Sequence, residues 1–504
     1  MRLNIAFEKI VERSVIIIGA GLGGLAAAIR LAAQGARVTV LEKNENTGGK
    51  VNLHQAAGFS FDTGASLLTM RHVLEDLCTS IGRRTEDYCE ILPLDPICLY
   101  HWPDGTKFAA STDLAQTEAA IARIEPRDVV GFRRFLDDAR RKYEVAERTF
   151  LAHSLNDLPK LLRPRYARDL AVLSSWRTLD AHIRRYFCSP YLRQLFGRFA
   201  TYNGSSPYRA PATFALIPYV EFGLGAWYVR GGMYSIPRAL TRLAHETGVE
   251  IITNTEVSRI IIESGTARGV VLADGTELHA DAVIVNADAL EAYRHLIAPA
   301  ARRKFTDAKL DRIEPSCSGF VLLLGTSCKF PQLAHHNIYF SADYPAEFRA
   351  LFDELRPAAD PTIYVCATSR TDDTQAPPGC ENLFVLVNAP ATSPHTDWNL
   401  EASRYGELII DKLESYGLKG LRESIVYQHL ITPDDFAQKY NAHRGALYGP
   451  SSNGIASAFV RPPNKARDIA RLYFAGGTTH PGGGIPLVLL SGKMAAELVL
   501  ADYL

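Results

Sequence analysis

Residues 15–50 read VIIIGAGLGGLAAAIRLAAQGARVTVLEKNENTGGK, and their order decides the fold. Val15 to Ile18 is a β-branched apolar run, the pattern of a strand buried on both faces of a parallel sheet. Gly19, Gly21 and Gly24 fill the G-x-G-x-x-G spacing. The first serves a tight turn, the second lets backbone approach a pyrophosphate, and the third lets helix pack on strand. Leu22 to about Gln34 is Ala/Leu-rich and helical, with Gly35 as its stop. Its free N–H groups and positive dipole end suit phosphate. A second strand, Arg37 to Leu41, ends at Glu42, where a carboxylate binds ribose hydroxyls and repels the 2′-phosphate of NADP. FAD or NAD is therefore favoured.

The whole chain has 504 residues, too many for one core, so two or more structural units are expected. Its 47% hydrophobic and 22% charged content is that of an ordinary folded protein. Basic and acidic residues both number 55, which leaves no overall field for nucleic acid. The eight cysteines form no C-x-x-C pair and no zinc spacing with histidine, so they read as free thiols in a reducing compartment, with no metal site. The opening MRLNIAFEKIVER is mixed and charged, unlike a secretory signal. No apolar run reaches the roughly 18 residues of a membrane span, and a cytoplasmic location is expected.

Behind the opening unit come NTGGK at 46–50 and GFSFDTGAS at 58–66. Two adjacent glycines ahead of a cation permit close approach to a phosphate, with Lys50 supplying the charge. G-x-G-x-x-G, a Glu ending the second strand and then G-G-K resemble the FAD-binding signature of the amine-oxidase and phytoene-desaturase superfamily. The resemblance implies FAD. It puts Gly19, Ala20, Gly21, Leu22, Gly23 and Gly24 at the pyrophosphate turn and Glu42, with Lys43 beside it, at the adenosine ribose. Gly49 and Lys50 lie along the pyrophosphate, and Gly64, Ala65 and Ser66 near the flavin.

Residues 91–110 look like paired strands with Pro-Asp-Gly as hairpin turn, and 113–147 like helix with a solvated face. From Lys160 to Arg198 nine Lys/Arg face only two acids, with leucines and aromatics interleaved. That composition suits an anionic membrane surface, with Trp176, Tyr186 and Phe187 at the interface; core-facing helices with a basic outer side give the same pattern. GLGAWYVRGGMYSIP at 223–237 precedes a helix of about Ser235 to Thr247 and resembles the superfamily's return into the FAD domain. Residues 249–289 read as a compact β unit, in which the resemblance puts a backbone contact to the adenine end at Val257. Asn286, Ala287 and Asp288 close its last strand, where ligands meet open α/β sheets. Apolar runs at 319–325, 362–368 and 383–388 line one sheet, which serves as core or as the wall of a long apolar pocket. TPDDFAQKY at 432–440 is a capped helix start.

The second strong signal is LYFAGGTTHPGGGIPLVLLSGKMAAELVL at 472–500. A buried strand ends at Gly476 and Gly477, and a glycine loop leads through Gly484 and Ile485 into a helix with Pro486 near its first turn. A helix starting beneath a flavin aims its positive end at the ring and stabilises the reduced form. Ser491, Gly492, Ala495 and Ala496 permit close packing on the opening helix.

HPGGGIPLVLLSGK resembles carotenoid desaturases, carotenoid oxygenases and hydroxycarotenoid desaturases. The resemblance spans the chain and is firmest at its two ends. It implies an α/β fold with a discontinuous Rossmann-type FAD-binding domain (GR2-like) of residues 11–90, 222–300 and 462–504. An α+β substrate domain takes 91–221 and 301–461, with membrane-facing helices within 150–200. The implied activity is that of a phytoene desaturase-like enzyme, peripherally bound to membrane, which introduces C=C bonds into an apolar polyene by hydride transfer to flavin. A carotenoid terminal-methyl oxygenase or hydroxycarotenoid 3,4-desaturase is the alternative. Substrate binding then rests on apolar area, at about 25 cal/mol per Å². Flavin amine oxidases resemble the chain less, since no cysteine follows Cys380 and TTHPGGG holds no aromatic. Non-enzymatic prenyl-lipid escort proteins lack a use for intact pyrophosphate glycines. His480 is either an acid–base group or a support of its loop, so no catalytic residue is assigned.

Overall fold

Strand β1 (Ser14–Ile18) lies at the centre of a five-stranded parallel sheet in the computed structural model. The structure describes residues 13–157, 169, 172–173, 176–454 and 461–503. β1 pairs with β2 (Arg37–Leu41) on one side and with Ala282–Val285 on the other. Glu250–Ile252 and Leu472–Phe474 form the edges. Helix α1 (Leu22–Ala32) crosses between β1 and β2 and is buried along nearly its whole length, which its run of Ala and Leu permits. The last helix, Ile485–Tyr503, packs against it.

The stretch 249–289 is not one β unit. Its first and last strands join the parallel sheet, and only Val257–Glu263, Thr266–Leu272 and Glu277–His279 form a separate antiparallel sheet. The four-residue run Ala282–Val285 is buried at every position, so it needs a sheet interior.

A seven-stranded sheet runs in the order Ile425–Ile431, Ser318–Thr326, Glu381–Ala389, Ile363–Cys366, His336–Tyr339, Cys98–His101, Lys107–Ala110. All its pairs are antiparallel except His336–Tyr339 with Cys98–His101. One face is covered by helix Trp398–Ser415, which buries Tyr405, Ile409 and Leu413 against Phe320, Leu322 and Leu324. The opposite face carries Val321, Leu323 and Phe384 toward Phe59 and Phe61. Cys98–His101 and Lys107–Ala110 make the expected hairpin, but Ile91–Pro93 instead pairs with Trp227–Val229.

All eight cysteines are free thiols. Among the described residues no helix is long and apolar enough to cross a membrane. The expected membrane-facing helices lie partly outside the described residues, at 158–168, 170–171 and 174–175. Of their named aromatics Trp176 is 56% exposed and Phe187 is 1% exposed. Phe187 is a core residue, stacked on Phe196 at 4.6 Å and edge-on to Phe135, because the helix Pro190–Gly197 folds back over it.

Candidate functional site

The two glycine turns meet at the carboxyl end of the parallel sheet. Gly48 donates its N–H to the Ala20 carbonyl at 2.8 Å, and a Cβ on Gly49 would stand 3.2 Å from the Gly21 Cα. α1 starts at Gly21 with no side-chain cap and no acid in its first turn. Gly21 and Leu22, at this uncapped start, line the cavity, which suits an anion.

Ala20, Gly23 and Gly24, expected at the pyrophosphate turn, lie behind the cavity lining. A Cβ on Gly24 would meet the Gly19 carbonyl at 2.3 Å, and one on Gly23 would meet Asn286 Oδ1 at 2.7 Å. These glycines hold helix to strand. Asn286, expected at the ligand end of its strand, lines the cavity. It donates to the Gly19 carbonyl at 3.1 Å and also abuts Gly21 and Gly476, so it joins the first turn to the last.

Glu42 is 5% exposed and lines the cavity. It accepts from the N–H of Ala20 at 2.8 Å and of Asn44 at 2.9 Å, which fixes the carboxylate and leaves lone pairs for a further donor. Lys43 is tied to Asn441 Oδ1 at 2.8 Å. Lys50 donates to the carbonyls of Leu447 at 2.9 Å and Ala446 at 3.2 Å, and burial lowers its pKa against the pull of Asp288. Sequence spacing gave no sign of this seat, formed almost 400 residues downstream. Gly64 has no room for a side chain, since a Cβ would fall 1.8 Å from the Lys50 carbonyl.

The remaining expected residues line the same cavity: Gly19, Gly21, Leu22, Gly49, Ala65, Ser66, Val257, Gly476, Gly477, Gly484, Ile485 and Pro486. Gly476 is steadied by Ser491, whose Oγ accepts from its N–H at 3.1 Å. Buried Arg461 donates to the carbonyls of Gly477 and Tyr448, both at 2.9 Å, and fastens the closing loop. His480 is fully buried behind that loop, with Nε2 on the carbonyls of Phe150 and His153 and a pKa lowered to about 4 by burial. It supports the turn.

The cavity measures about 1330 Å³. Beyond the glycine turns its wall is built by Phe214, Ile217, Val220, Ile338, Phe384 and Leu386. It is larger than the roughly 300–1,000 Å³ of an ordinary small-molecule site. An uncapped helix start, two glycine turns in contact, a fixed carboxylate and a buried lysine fit FAD.

Polar groups also face the apolar part. Ser66 Oγ bonds Tyr364 Oη at 2.6 Å, and Tyr364 Oη bonds His336 Nδ1 at 2.7 Å. His335, His336 and Cys366 each bring one potential ligand atom within 4.8 Å of the others. Spacing gave no hint of this cluster, because antiparallel pairing of His336 with Cys366 creates it.

The family model for flavin-containing amine oxidoreductases matches residues 22–500. The 4,4'-diapolycopene oxygenase of a Methylomonas species is 40% identical over 499 residues, 97% of this chain and 99% of that protein. The zeta-carotene-forming phytoene desaturase of Myxococcus xanthus is 36% identical, over 97% of this chain and 94% of its own. Cyclohexylamine oxidase from Brevibacterium oxydans has the same fold, with a TM-score of 0.62 at 19% identity over 97% of this chain and 99% of that one.

Proposed function

The chain belongs to the flavin-containing amine oxidoreductase family, as an FAD-dependent enzyme of its carotenoid desaturase and oxygenase group, and from that premise we propose that it desaturates a linear polyene. The observation that carries this reading is the single cavity that joins the glycine turns to an apolar wall. Bound FAD supplies the two-electron oxidant. In this reading Glu42 holds the adenosine ribose, the start of α1 with Gly49 and Lys50 faces the pyrophosphate, and Val257 offers backbone to the adenine end. Gly64 to Ser66 and the start of the last helix, at Gly484 to Pro486, flank the flavin ring. The apolar wall orients the polyene and excludes water, so positioning carries most of the rate. The FAD-binding unit takes residues 11–90, 222–300 and 462–504, the substrate unit takes 91–221 and 301–461, and the enzyme works from the cytoplasmic side of a membrane surface.

A second reading, oxygenation of a terminal methyl group, is supported by the 40% identity to an oxygenase. Expression in cells that make phytoene, diapophytoene or lycopene, followed by pigment chromatography and mass, separates the two. Loss of two hydrogens per step is the expected result, and gain of oxygen favours the second reading. An unchanged pigment pool in every strain, with FAD bound, sinks both.

A further inference from the structure

Arg198 closes the basic stretch that sequence assigned to a surface, yet its side chain points inward and lines the cavity beside Glu221. Both are nearly or fully buried, with side chains 11% and 1% exposed. The Arg198 guanidinium lies 4.5 Å from the ring centre of Phe199 and 5.3 Å from that of Tyr100. Its Nε and Nη2 donate to Tyr100 Oη at 3.1 and 2.8 Å. The pair itself is loose, with Nη2 3.5 Å from each Glu221 oxygen. Nη1 has no hydrogen-bond partner among the described residues, and the Glu221 carboxylate has none besides Arg198.

Withdrawing two charges from water costs several kcal/mol each, and close, fully hydrogen-bonded geometry is what offsets it. Here the offset is incomplete: unused donors of Arg198 and unused lone pairs of Glu221 line a cavity whose neighbouring wall is Cys98, Ile217, Val220 and Ile338. A hydrocarbon chain has nothing to give either group. A hydroxyl oxygen accepts from Arg198 and donates to Glu221, and a carbonyl oxygen accepts from Arg198. We propose that Arg198 and Glu221 form a subsite for an oxygen-bearing end of the polyene. The subsite rests on the polyene reading and narrows it to substrates, or partly oxidised products, with a hydroxyl or carbonyl terminus.

The test is equilibrium binding to the FAD-loaded enzyme in detergent micelles, without oxygen, read from the absorbance shift of the polyene. The probes are lycopene, lycopene with one terminal hydroxyl, and the corresponding aldehyde. Wild type is expected to hold an oxygenated probe roughly 10- to 100-fold more tightly than lycopene, the range for a hydrogen bond to a charged group. A preference for both oxygenated probes assigns recognition to Arg198 alone, and a preference for the alcohol adds Glu221 as acceptor; each supports the subsite. Arg198→Gln should lose the preference with lycopene affinity unchanged, and Arg198→Lys should keep part of it. Equal wild-type affinity for all three probes overturns the proposal, even if Arg198→Gln fails to fold. So does an equal loss for all three in the variant. If wild type binds no polyene, the polyene reading falls and takes the subsite with it.

Discussion

Asp62 ends the strand Phe59–Asp62 in a buried position, where it accepts from the N–H groups of Met233 at 2.9 Å and Tyr234 at 3.1 Å. Burial pushes its pKa from 3.8 up to about 6 against those two bonds and the charge of Arg238. A carboxyl raised in the folded state holds its proton more tightly there than in the unfolded chain. Its contribution is full below pH 3.8 and lost as pH rises through about 6. The loss is on the order of 3 kcal/mol. Asp62→Asn cannot ionise, so its melting temperature should gain on wild type between pH 4 and pH 7; a constant difference across that range refutes the titration. Glu42 offers a second test. Glu42→Leu leaves the Ala20 and Asn44 N–H groups without their acceptor, at about 1–3 kcal/mol. The purified variant should melt lower and lack flavin absorbance after gel filtration, while Glu42→Gln, which keeps an acceptor oxygen, should retain more of both. Full flavin in Glu42→Leu would remove Glu42 from the cofactor site.

The opening and closing helices pack together, and Gly492 marks a close approach between them. A Cβ there would stand 2.3 Å from the Gly23 carbonyl and 3.0 Å from the Ala26 Cβ. Gly492→Val should force the last helix off α1, with an overpacking cost of about 1–3 kcal/mol and weaker FAD retention. Gly197→Ala is the control, since Gly197 has helical backbone and a Cβ there meets nothing closer than 3.6 Å. If both variants melt alike and hold FAD alike, the helix contact does not position the cofactor site. Strand, glycine turn, helix and acidic end were legible in residues 15–50 because each is fixed by neighbours in the chain. The close packing of Gly492 on the opening helix was legible from its size, whereas Ser491 ties the closing loop through Gly476 and His480. Asn286 was legible as a strand-end residue but not as the link between the first and last turns. Arg461 and the His335–His336–Cys366 cluster were not legible, because sheet register and loop closure bring them to their partners. The same non-local pairing took Ile91–Pro93 away from the adjacent hairpin and split residues 249–289 between two sheets. Charge pattern alone left Arg198 and Phe187 unplaced, since a basic aromatic stretch carries the same composition whether a given member faces solvent or core.

At the scale of the molecule, one cavity joins sheets of different construction, and the proposed polyene substrate raises the question of a lipid-contact surface. The equal numbers of acids and bases leave no global attraction to an anionic surface, so any attraction is local. Arg177, Arg184, Arg185 and Trp176 are the exposed basic and large aromatic residues among the described members of the basic stretch. Arg184 already pairs with Asp180 at 2.7 Å, which spends part of its charge, whereas no ion pair holds Arg185 among the described residues. A basic residue near an anionic leaflet contributes about 1 kcal/mol, so Arg185→Glu should lower the fraction bound to phosphatidylglycerol vesicles several-fold at low salt. Arg184→Glu should lower it at least as much, because reversal there also leaves the Asp180 carboxylate unpaired beside the new negative charge. Raising salt should erase the difference, since exposed charges are screened beyond about 10 Å at 0.1 M. Trp176→Ala should weaken binding at every salt concentration, because an interfacial ring acts through apolar area. Cosedimentation that none of the three substitutions changes would assign this stretch to the protein's own outer face and send the search for the lipid contact elsewhere.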